Sequence, residues 1–399
     1  MAKILTISEL AWPEGGGAEL ATYLILKMLS KRLDITLVTS TEKPHPIPDV
    51  KIYTTPLLKP GNRVTNLMRH AKLIQEEWFR QLIKSADIIY ITGSALLVAK
   101  LAKRYGKTVI LHAHNYTPVK YSGVKYIYEE GTDPLTEIKY AIHHELYHHQ
   151  SLIRALGVFP LYPLFKYTTN LIKYVDKIIC VSRRQAEIFT QYNPAIRDRI
   201  EVVYNPLPPE LLDAKIEKEL DETPTFLYVG GDSYIKGFHV LLQAINQIGK
   251  RGIRAKFMLI GKYGRDALNA IKHLEAKYPT IEIKVFGRTS HSEVMKLHRI
   301  TWALTFPSIS EEPLPYAVVE AVALGTIPIA SRVGGVPEIV GKDGVRYLFS
   351  PQNVEEFTSK IAKVIMLHPS NVVKIGFFLR KNLLTKSSKE TNDITKVFS

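Results

Sequence analysis

The sequence has almost no cysteine and no long uninterrupted hydrophobic run. Cys180 is the single cysteine among 399 residues, which excludes an internal disulfide and a cysteine-based zinc site and is typical of a reducing compartment. No apolar stretch reaches the roughly 20 residues that a membrane-spanning helix requires. Met1-Ala2-Lys3 leads directly into a predicted strand, so we expect no secretory signal peptide and a cytoplasmic protein.

The sequence also has a deficit of acidic residues, and the resulting positive charge is unevenly distributed. The net charge is +15, and residues 1–200 carry 27 Lys and Arg against 17 Asp and Glu. Such a basic half favours an anionic partner, which would be a nucleic acid, a membrane surface or a phosphorylated acceptor. Solubility alone explains the charge equally well. The length and the 46% hydrophobic fraction suit a globular protein of two domains.

Short apolar strands alternate with amphipathic helices along most of the chain. Strands are predicted at 2–7, 35–39, 51–55, 87–92 and 108–112, with helices at about 18–33 and 63–84 between them. Alternation of this kind predicts a doubly wound parallel sheet, in which ligands bind at the carboxyl ends of the strands. Three prolines between Asn205 and Pro209 mark a boundary, after which the alternation resumes.

The most informative stretch runs from Ala303 to Val340 and contains a carboxylate in an apolar helix. Residues 303–307 predict a buried strand, Pro315 opens a helix, and Gly325 ends it. Glu320 lies in the middle of this helix among Ala, Val and Leu, where a carboxylate is costly unless it is paired or binds a ligand. The alternatives are an ion pair with a Lys or Arg elsewhere and a carboxylate that accepts hydrogen bonds from ligand hydroxyls.

A second carboxylate, Glu312, precedes Glu320 by eight residues, and the helix N-terminus between them favours a phosphate group. These two glutamates, the turn at Gly325 and the segment 334–338 (GGVPE) resemble the signature of retaining glycosyltransferases of family 4. The resemblance implies a GT-B α/β fold, that is, two facing Rossmann-like domains with a cleft between them. It also implies that Glu320 binds the ribose of a nucleotide and that Glu312 lies beside the donor sugar and the reacting centre.

Further positions match the same family and acquire roles from the resemblance. Gly16 and Gly17 correspond to the Gly-Gly turn that approaches the donor phosphate, and His114 to the histidine beside the donor sugar. A histidine that merely caps its strand remains an alternative for His114. Lys236 corresponds to a lysine that binds the donor diphosphate. Gly231 stands where the family usually has an arginine, and either backbone N–H groups or another cation, with Arg288 as the candidate, are expected to compensate.

The segment 117–174 matches the family least well and contains two unusual features. His144, Glu145 and His148 form the pattern H-E-x-x-H of zinc proteases, but no third ligand follows at the spacing those enzymes use. We therefore expect a solvated or acceptor-facing histidine cluster, for which accidental metal binding of the kind that a His-rich tract shows is a further expectation. Residues 156–164 (LGVFPLYPL) are apolar and are followed by Lys166, Tyr167 and Lys173, which suits a membrane interface, a lid or a covered core segment.

Together these observations predict an acceptor-binding domain at 1–204, a nucleotide-sugar-binding domain at 205–372 and a tail at 373–399. The tail is expected to return to the first domain, with Phe377 to Arg380 as the returning segment. The implied reaction moves a sugar, a hexose by expectation, from a UDP- or GDP-type donor to a glycan or lipid-linked hydroxyl, with retention of configuration. Glu312, His114 and Lys236 are the expected catalytic residues, and Glu320, Gly16, Gly17, Gly231, Arg288 and Pro315 the expected donor-binding residues.

No Asp-x-Asp metal motif is evident, so we expect neither a metal nor another cofactor. We also expect a peripheral association with the anionic inner face of the cell membrane and no nucleic-acid partner, because no nucleic-acid recognition motif is present. Two alternatives remain open: a sugar-nucleotide-binding protein without catalytic activity, and a nucleic-acid-binding protein.

Overall fold

Two parallel β-sheets organise the chain, one in each of two units. The computed structural model describes residues 2–212, 216–390 and 393–398. The first unit contains the described residues of 1–125, 129–206 and 390–399, and the second contains 126–128 and the described residues of 207–389. The main boundary lies at Pro206 and Leu207, inside the proline-rich segment. Tyr126 belongs to the second unit because it pairs with Ser310 in an isolated antiparallel bridge.

The first unit is a seven-stranded sheet with the strand order β3-β2-β1-β4-β5-β6-β7, and every adjacent pair is parallel. Its strands are β1 Lys3–Ile7, β2 Asp34–Thr39, β3 Val50–Thr54, β4 Ile88–Ile91, β5 Thr108–Ala113, β6 Lys177–Cys180 and β7 Ile200–Val202. Its helices before the boundary are α1 Gly17–Leu29, α2 Arg63–Leu73, α3 Glu77–Ser85, α4 Leu97–Arg104, α5 Pro134–Tyr147, α6 Leu152–Asn170 and α7 Arg183–Tyr192.

The second unit is a six-stranded parallel sheet with the order β10-β9-β8-β11-β12-β13. Its strands are β8 Thr225–Val229, β9 Ala255–Ile260, β10 Ile281–Gly287, β11 Ala303–Phe306, β12 Ile327–Ser331 and β13 Leu348–Phe349. The helices after the boundary are α8 Pro209–Leu212, α9 Phe238–Lys250, α10 Arg265–Lys277, α11 His291–Leu297, α12 Tyr316–Ala323, α13 Val336–Gly344, α14 Val354–Ile365, α15 Pro369–Glu390 and α16 Asp393–Val397.

Apolar side chains on both faces of the strands form the cores, as expected for parallel sheets covered by helices. In β1, Leu5 and Ile7 pack into one cluster of the first unit, whereas Ile4 packs into another. In the second unit, β11 and helix α12 contribute Leu304, Phe306 and Val318 to a single cluster. The ends of the strands, and the loops that follow them, are therefore anchored to a packed apolar core.

Two predicted elements differ from those observed. The single helix predicted at 63–84 is two helices, because Glu76 has an extended backbone conformation and the Arg80 side chain donates to the carbonyl oxygen of Ile74 at 2.9 Å. The apolar segment 156–164, for which a membrane interface, a lid or a covered core segment was expected, lies inside helix α6. Pro160 and Pro163 each remove one helical N–H without ending this helix.

The end of the tail belongs to the first unit, as expected, but the returning segment is not the predicted one. Leu379, in the segment expected to return to the first domain, is buried in the core of the second unit, and Arg380 donates to the carbonyl oxygen of Ala323 at 2.8 Å. Among the described residues of the tail, Ile394, Val397 and Phe398 pack in the core of the first unit, and the ring of Phe398 lies 5.1 Å from that of Tyr90.

Among the described residues, no single helix has the length and apolar composition to cross a membrane. Helices α14 and α15 satisfy those criteria only as a pair, taken across a bend of 115°. Both helices contribute buried side chains to the second unit.

Candidate donor-binding site

The second unit has a topological switch point between β8 and β11, where the strand order changes direction. In doubly wound sheets, ligands bind at the carboxyl ends of the strands at this point. The loop after β8 carries Lys236, and the loop after β11 carries Glu312. Their side chains meet there, with Lys236 Nζ 2.7 Å from Glu312 Oε1. Sequence reasoning identified both residues but did not predict that they form an ion pair.

Hydrogen bonds hold the loop after β11 from both sides. The backbone N–H of Ile309 donates to Ile235 O at 3.0 Å, and the Ser308 hydroxyl lies 3.3 Å from Glu312 Oε1. On the other side, the N–H of Gly334 donates to Glu311 Oε2 at 2.5 Å, and the N–H of Gly335 donates to the carbonyl oxygen of Glu312 at 2.9 Å. Glu312 is therefore positioned by the backbone as well as by Lys236.

Glu311 is a positioning residue that sequence reasoning missed. Its carboxylate is buried and ties the loop after β11 to the glycines after β12. The signal that was available is the spacing of two adjacent glutamates before a Gly-Gly pair. Gly334 needs to be glycine, because its φ is +48° and a Cβ there would overlap the carbonyl oxygen of Glu312.

Gly231 occupies a backbone position that suits no larger residue. Its φ is +60°, and a Cβ would lie 2.5 Å from the carbonyl oxygen of Lys262 and 3.0 Å from the nitrogen of the same residue. The arginine that the family usually has at this position is thus incompatible with the backbone seen here. Arg288, expected to compensate, is exposed immediately after β10. The structure gives no contact between Arg288 and Lys236.

Glu320 is buried in α12 and pairs with a histidine rather than with a Lys or Arg. His291 Nε2 lies 2.7 Å from Glu320 Oε1. The hydrogen bond to this carboxylate is the largest influence on His291 and raises its pKa, although partial burial opposes the shift. His291 begins α11, and sequence reasoning missed it because the two residues are 29 positions apart and no local pattern links them.

Pro315 lies one position before α12, as the N-cap rather than as a residue of the first turn. Its carbonyl oxygen accepts hydrogen bonds from the N–H groups of Val318 and Val319 at 3.0 and 3.2 Å. At the other end of the helix, Gly325 has a φ of +67° and stops it as predicted. The helix N-terminus thus follows directly on the loop that contains Glu312.

In the first unit, the glycines before α1 form the predicted turn after β1. The backbone N–H of Gly16 donates to Glu19 Oε2 at 2.7 Å, and α1 begins at Gly17. A Cβ at Gly16 would meet no other atom within 4 Å, so this side of the turn is open.

His114 follows β5 and has an unsatisfied ring nitrogen. Its Nε2 is buried and has no hydrogen-bond partner among the residues that the structure describes. Surrounding protein lowers the pKa of His114 to about 4, so its ring is neutral at pH 7. The preceding His112 stacks against it with ring centroids 4.2 Å apart and contacts the Tyr90 hydroxyl through Nδ1 at 2.6 Å. A buried nitrogen of this kind suits a ligand better than a structural strand cap.

A cavity of about 550 Å³ lies within the first unit, apart from the residues described so far. Its lining includes Arg63, Tyr121, His144, His149 and Arg154. Arg63 donates to the carbonyl oxygen of Tyr121 at 2.7 Å and to the Thr168 hydroxyl at 2.9 Å. The segment 117–170, which sequence reasoning left without a defined role, therefore forms much of this cavity.

Comparisons with known proteins match nearly the whole chain to two family models. The model described as "Glycosyltransferase Family 4" matches residues 15–211, and that described as "Glycosyl transferases group 1" matches residues 212–372. Among curated relatives, an uncharacterized glycosyltransferase of Methanocaldococcus jannaschii is 33% identical over 204 residues, covering 50% of this chain and 52% of that protein.

The gpi3 subunit of the Schizosaccharomyces pombe phosphatidylinositol N-acetylglucosaminyltransferase is 24% identical over 219 residues, covering 53% of this chain and 46% of that protein. The matched region thus spans about half the length of these curated relatives. Among solved structures, Anabaena HepE in complex with UDP-glucose superposes on this chain with a TM-score of 0.67 at 16% identity. The match covers 100% of this chain and 99% of the HepE chain. Because the two family models together match residues 15–372, the chain belongs to the group 1 glycosyl transferases of family 4 and has the GT-B fold.

Proposed function

We propose that this protein is a retaining glycosyltransferase that uses a UDP- or GDP-type sugar, with a hexose as the transferred group. The observation that supports this most strongly is the convergence of Lys236, Glu312 and α12 at the switch point of the second unit. Family membership and the UDP-glucose bound to HepE are consistent with a nucleotide-sugar donor. The donor is a co-substrate, and no separate cofactor is part of the proposal.

In this proposal, Glu320 accepts hydrogen bonds from the ribose hydroxyls while His291 holds one of its oxygens. The N–H groups at the start of α12 and the Lys236 ammonium stabilise the diphosphate. Lys236 is bound to Glu312 at 2.7 Å in the structure, so donor binding places the ammonium between a carboxylate and a phosphate. Glu312 then positions the sugar and stabilises the positive charge that develops on it.

The reaction breaks the bond between the anomeric carbon and the phosphate oxygen, and forms a bond from that carbon to the acceptor oxygen. The acceptor hydroxyl gives its proton to the departing phosphate, which accounts for the proton without a dedicated protein base. We propose His114, Gly16 and Gly17 as further donor-binding residues, and the neutral His114 ring is suited to a hydrogen bond with a sugar hydroxyl. Turnover with a panel of UDP- and GDP-sugars tests this function, and NMR of the product distinguishes retention from inversion.

We propose that transfer needs no metal ion at the diphosphate, because Lys236 and backbone N–H groups supply the positive charge. Turnover should be unchanged by EDTA. Loss of turnover in EDTA followed by recovery with Mg²⁺ would contradict this proposal.

The acceptor site is proposed to be the cavity of the first unit, with a glycan or a lipid-linked glycan as the acceptor.

Helix α6, which adjoins this cavity, has an exposed apolar face. Its residues Leu152, Ile153, Leu156 and Phe159 are between 66% and 85% exposed. Their spacing places them along one side of the helix. Together with the basic charge of residues 1–200, this apolar face supports peripheral binding to an anionic membrane at the cytoplasmic side.

One observation favours a second candidate function, a sugar-nucleotide-binding protein without catalytic activity. Gly231 excludes the arginine that the family normally uses on the diphosphate, and this weakens stabilisation of the leaving group. Saturable donor binding without turnover or donor hydrolysis, over a broad acceptor panel, would favour this alternative.

A further inference from the structure

Three histidines cluster at the carboxyl end of α5 in the first unit. His144, His148 and His149 each offer a ring nitrogen, and these nitrogens all lie within 4.8 Å of one another. The ring centroids are 4.8 Å apart for 144–148, 5.0 Å for 144–149 and 4.8 Å for 148–149. The three rings thus form a nearly equilateral triangle.

The local backbone explains how His149 joins the other two. His144 and His148 are one helical turn apart and share a face. The N–H groups of His148 and His149 both donate to the carbonyl oxygen of His144, at 2.9 and 3.3 Å, and the second of these bonds is a π-type bond that widens the last turn of the helix. Gln150 then has a φ of +50° and turns the chain toward α6. Sequence reasoning sought the third ligand farther along the chain and therefore overlooked the adjacent residue.

The chemistry of this cluster suits a transition-metal dication. Imidazole nitrogens bind Zn²⁺ at about 2.0–2.1 Å, so the rings need to approach one another by rotation of their side chains. His144 is buried and His149 is exposed, which leaves a path from solvent to the cluster. The negative end of the α5 dipole also favours a cation here.

Glu145, the glutamate within the H-E-x-x-H pattern, forms an ion pair with Arg154 and does not suit a protease. Glu145 Oε2 lies 2.6 Å from Arg154 Nε, and Arg154 also reaches Oε1 at 3.4 Å. A metalloprotease needs this carboxylate to activate a metal-bound water. The pattern is therefore better explained by metal binding without hydrolysis.

We propose that His144, His148 and His149 bind one transition-metal dication of the Zn²⁺ class in the wall of the first-unit cavity. Three protein ligands leave a coordination position for water or for an oxygen of a molecule in the cavity, because His144 and His149 both line it. This site lies outside the donor-binding residues, and its existence does not depend on the proposed transferase activity.

The test uses the full chain with any affinity tag removed, and Zn²⁺ alone and Co²⁺ alone as probes. Isothermal titration with Zn²⁺ gives stoichiometry and affinity, and Co²⁺ absorption reports the coordination geometry. We expect one equivalent of Zn²⁺ per chain and the intense visible bands of four-coordinate Co²⁺. His149→Ala should weaken Zn²⁺ binding by at least about tenfold, since even outer-sphere changes typically cost 10–100-fold in metal affinity. His148→Ala should have a similar effect.

His143→Ala is the matched control, because His143 lies on the same helix and stacks on Tyr147 rather than in the triangle, with ring centroids 4.4 Å apart. It should bind Zn²⁺ as tightly as the wild type. Since His149 is exposed, its substitution should leave the melting temperature without metal unchanged. Absence of stoichiometric Zn²⁺ binding, or equal losses in the His143 and His149 variants, would overturn the proposal. Nucleotide binding measured in the same variants keeps this result separate from the donor site.

Discussion

At the scale of single residues, the local sequence predicts which side chains are chemically unusual better than it predicts which side chains they contact. Glu320 stood out because a carboxylate interrupts an apolar helix, and the structure confirms that it is buried. Its partner His291 lies 29 residues away, and Lys236 lies 76 residues from Glu312. Such pairs depend on how the strands are ordered in the sheet, which residue spacing alone does not determine.

Gly231 provides a test of why the arginine is absent from this chain. We expect Gly231→Ala to destabilise the second unit more than Gly252→Ala does. Both glycines have φ near +60°, where a side chain costs roughly 1–2 kcal/mol, but only Gly231 would also place a Cβ against backbone atoms. Urea unfolding of both variants measures the difference. Equal losses of unfolding free energy would show that the backbone near Lys262 can move, and that an arginine here is sterically possible.

His298 predicts how the stability of the second unit depends on pH. Burial, aided by Lys218 and His291, lowers its pKa to about 3, so the folded state binds fewer protons than the unfolded state below pH 6.5. As the pH is lowered from 6.5 to about 3, this group should therefore decrease the unfolding free energy by about 1.4 kcal/mol for each pH unit. His298→Gln should lose less stability than the wild type between pH 7 and 5.5.

The measurement follows urea unfolding through the fluorescence of the buried Trp302 in a background with Trp12→Phe and Trp78→Phe. His273→Gln, at an exposed position of α10, is the control and should keep the pH dependence of that background. A His298 variant with the same pH dependence as the background would show that His298 is protonated in the folded state, contrary to this account.

At the scale of elements, strands were predicted well and the two helices of segment 117–174 were not. Continuous apolar runs indicate buried parallel strands, and every strand from β1 to β5 lies within a few residues of its predicted position. Helix α6 escaped detection because Pro160 and Pro163 interrupt its pattern and because it buries few of its side chains. Exposure of an apolar helix face reflects tertiary structure, which hydrophobic periodicity does not reveal.

Helix α6 predicts binding to anionic lipid. The double substitution Leu156→Ser and Phe159→Ser should greatly reduce flotation with liposomes that contain anionic lipid, because both side chains are about 70% exposed on the same helix. Met366→Ser is the control, since Met366 is 84% exposed but lies just after α14 in the second unit. Absence of flotation by the wild type, with or without anionic lipid, would contradict membrane binding. If the double variant lost no more flotation than Met366→Ser, the protein would contact the membrane through residues other than Leu156 and Phe159.

At the scale of the whole molecule, alternation of strands and helices predicted two doubly wound sheets and a boundary close to the observed one. The strand order β10-β9-β8-β11-β12-β13 then explains why residues from distant loops meet, because it creates the switch point between β8 and β11. The sequence predicted that the tail returns to the first unit, but it did not reveal that α16 is the returning element or that the segment 126–128 belongs to the second unit. Both depend on long-range contacts made by short segments with little periodicity.

The most direct test of the central claim is the melting temperature with UDP, GDP and ADP, each in EDTA, for the wild type and Glu320→Ala. A nucleotide present at 100 times its dissociation constant should stabilise the wild type by about 2.7 kcal/mol. Glu355→Gln, at an exposed position of α14, is the control and should respond like the wild type. We expect a rise in melting temperature with UDP or GDP that disappears in the Glu320 variant alone. No rise with any nucleotide or with the corresponding nucleotide sugars, or an undiminished rise in Glu320→Ala, would contradict a donor site built around Glu320.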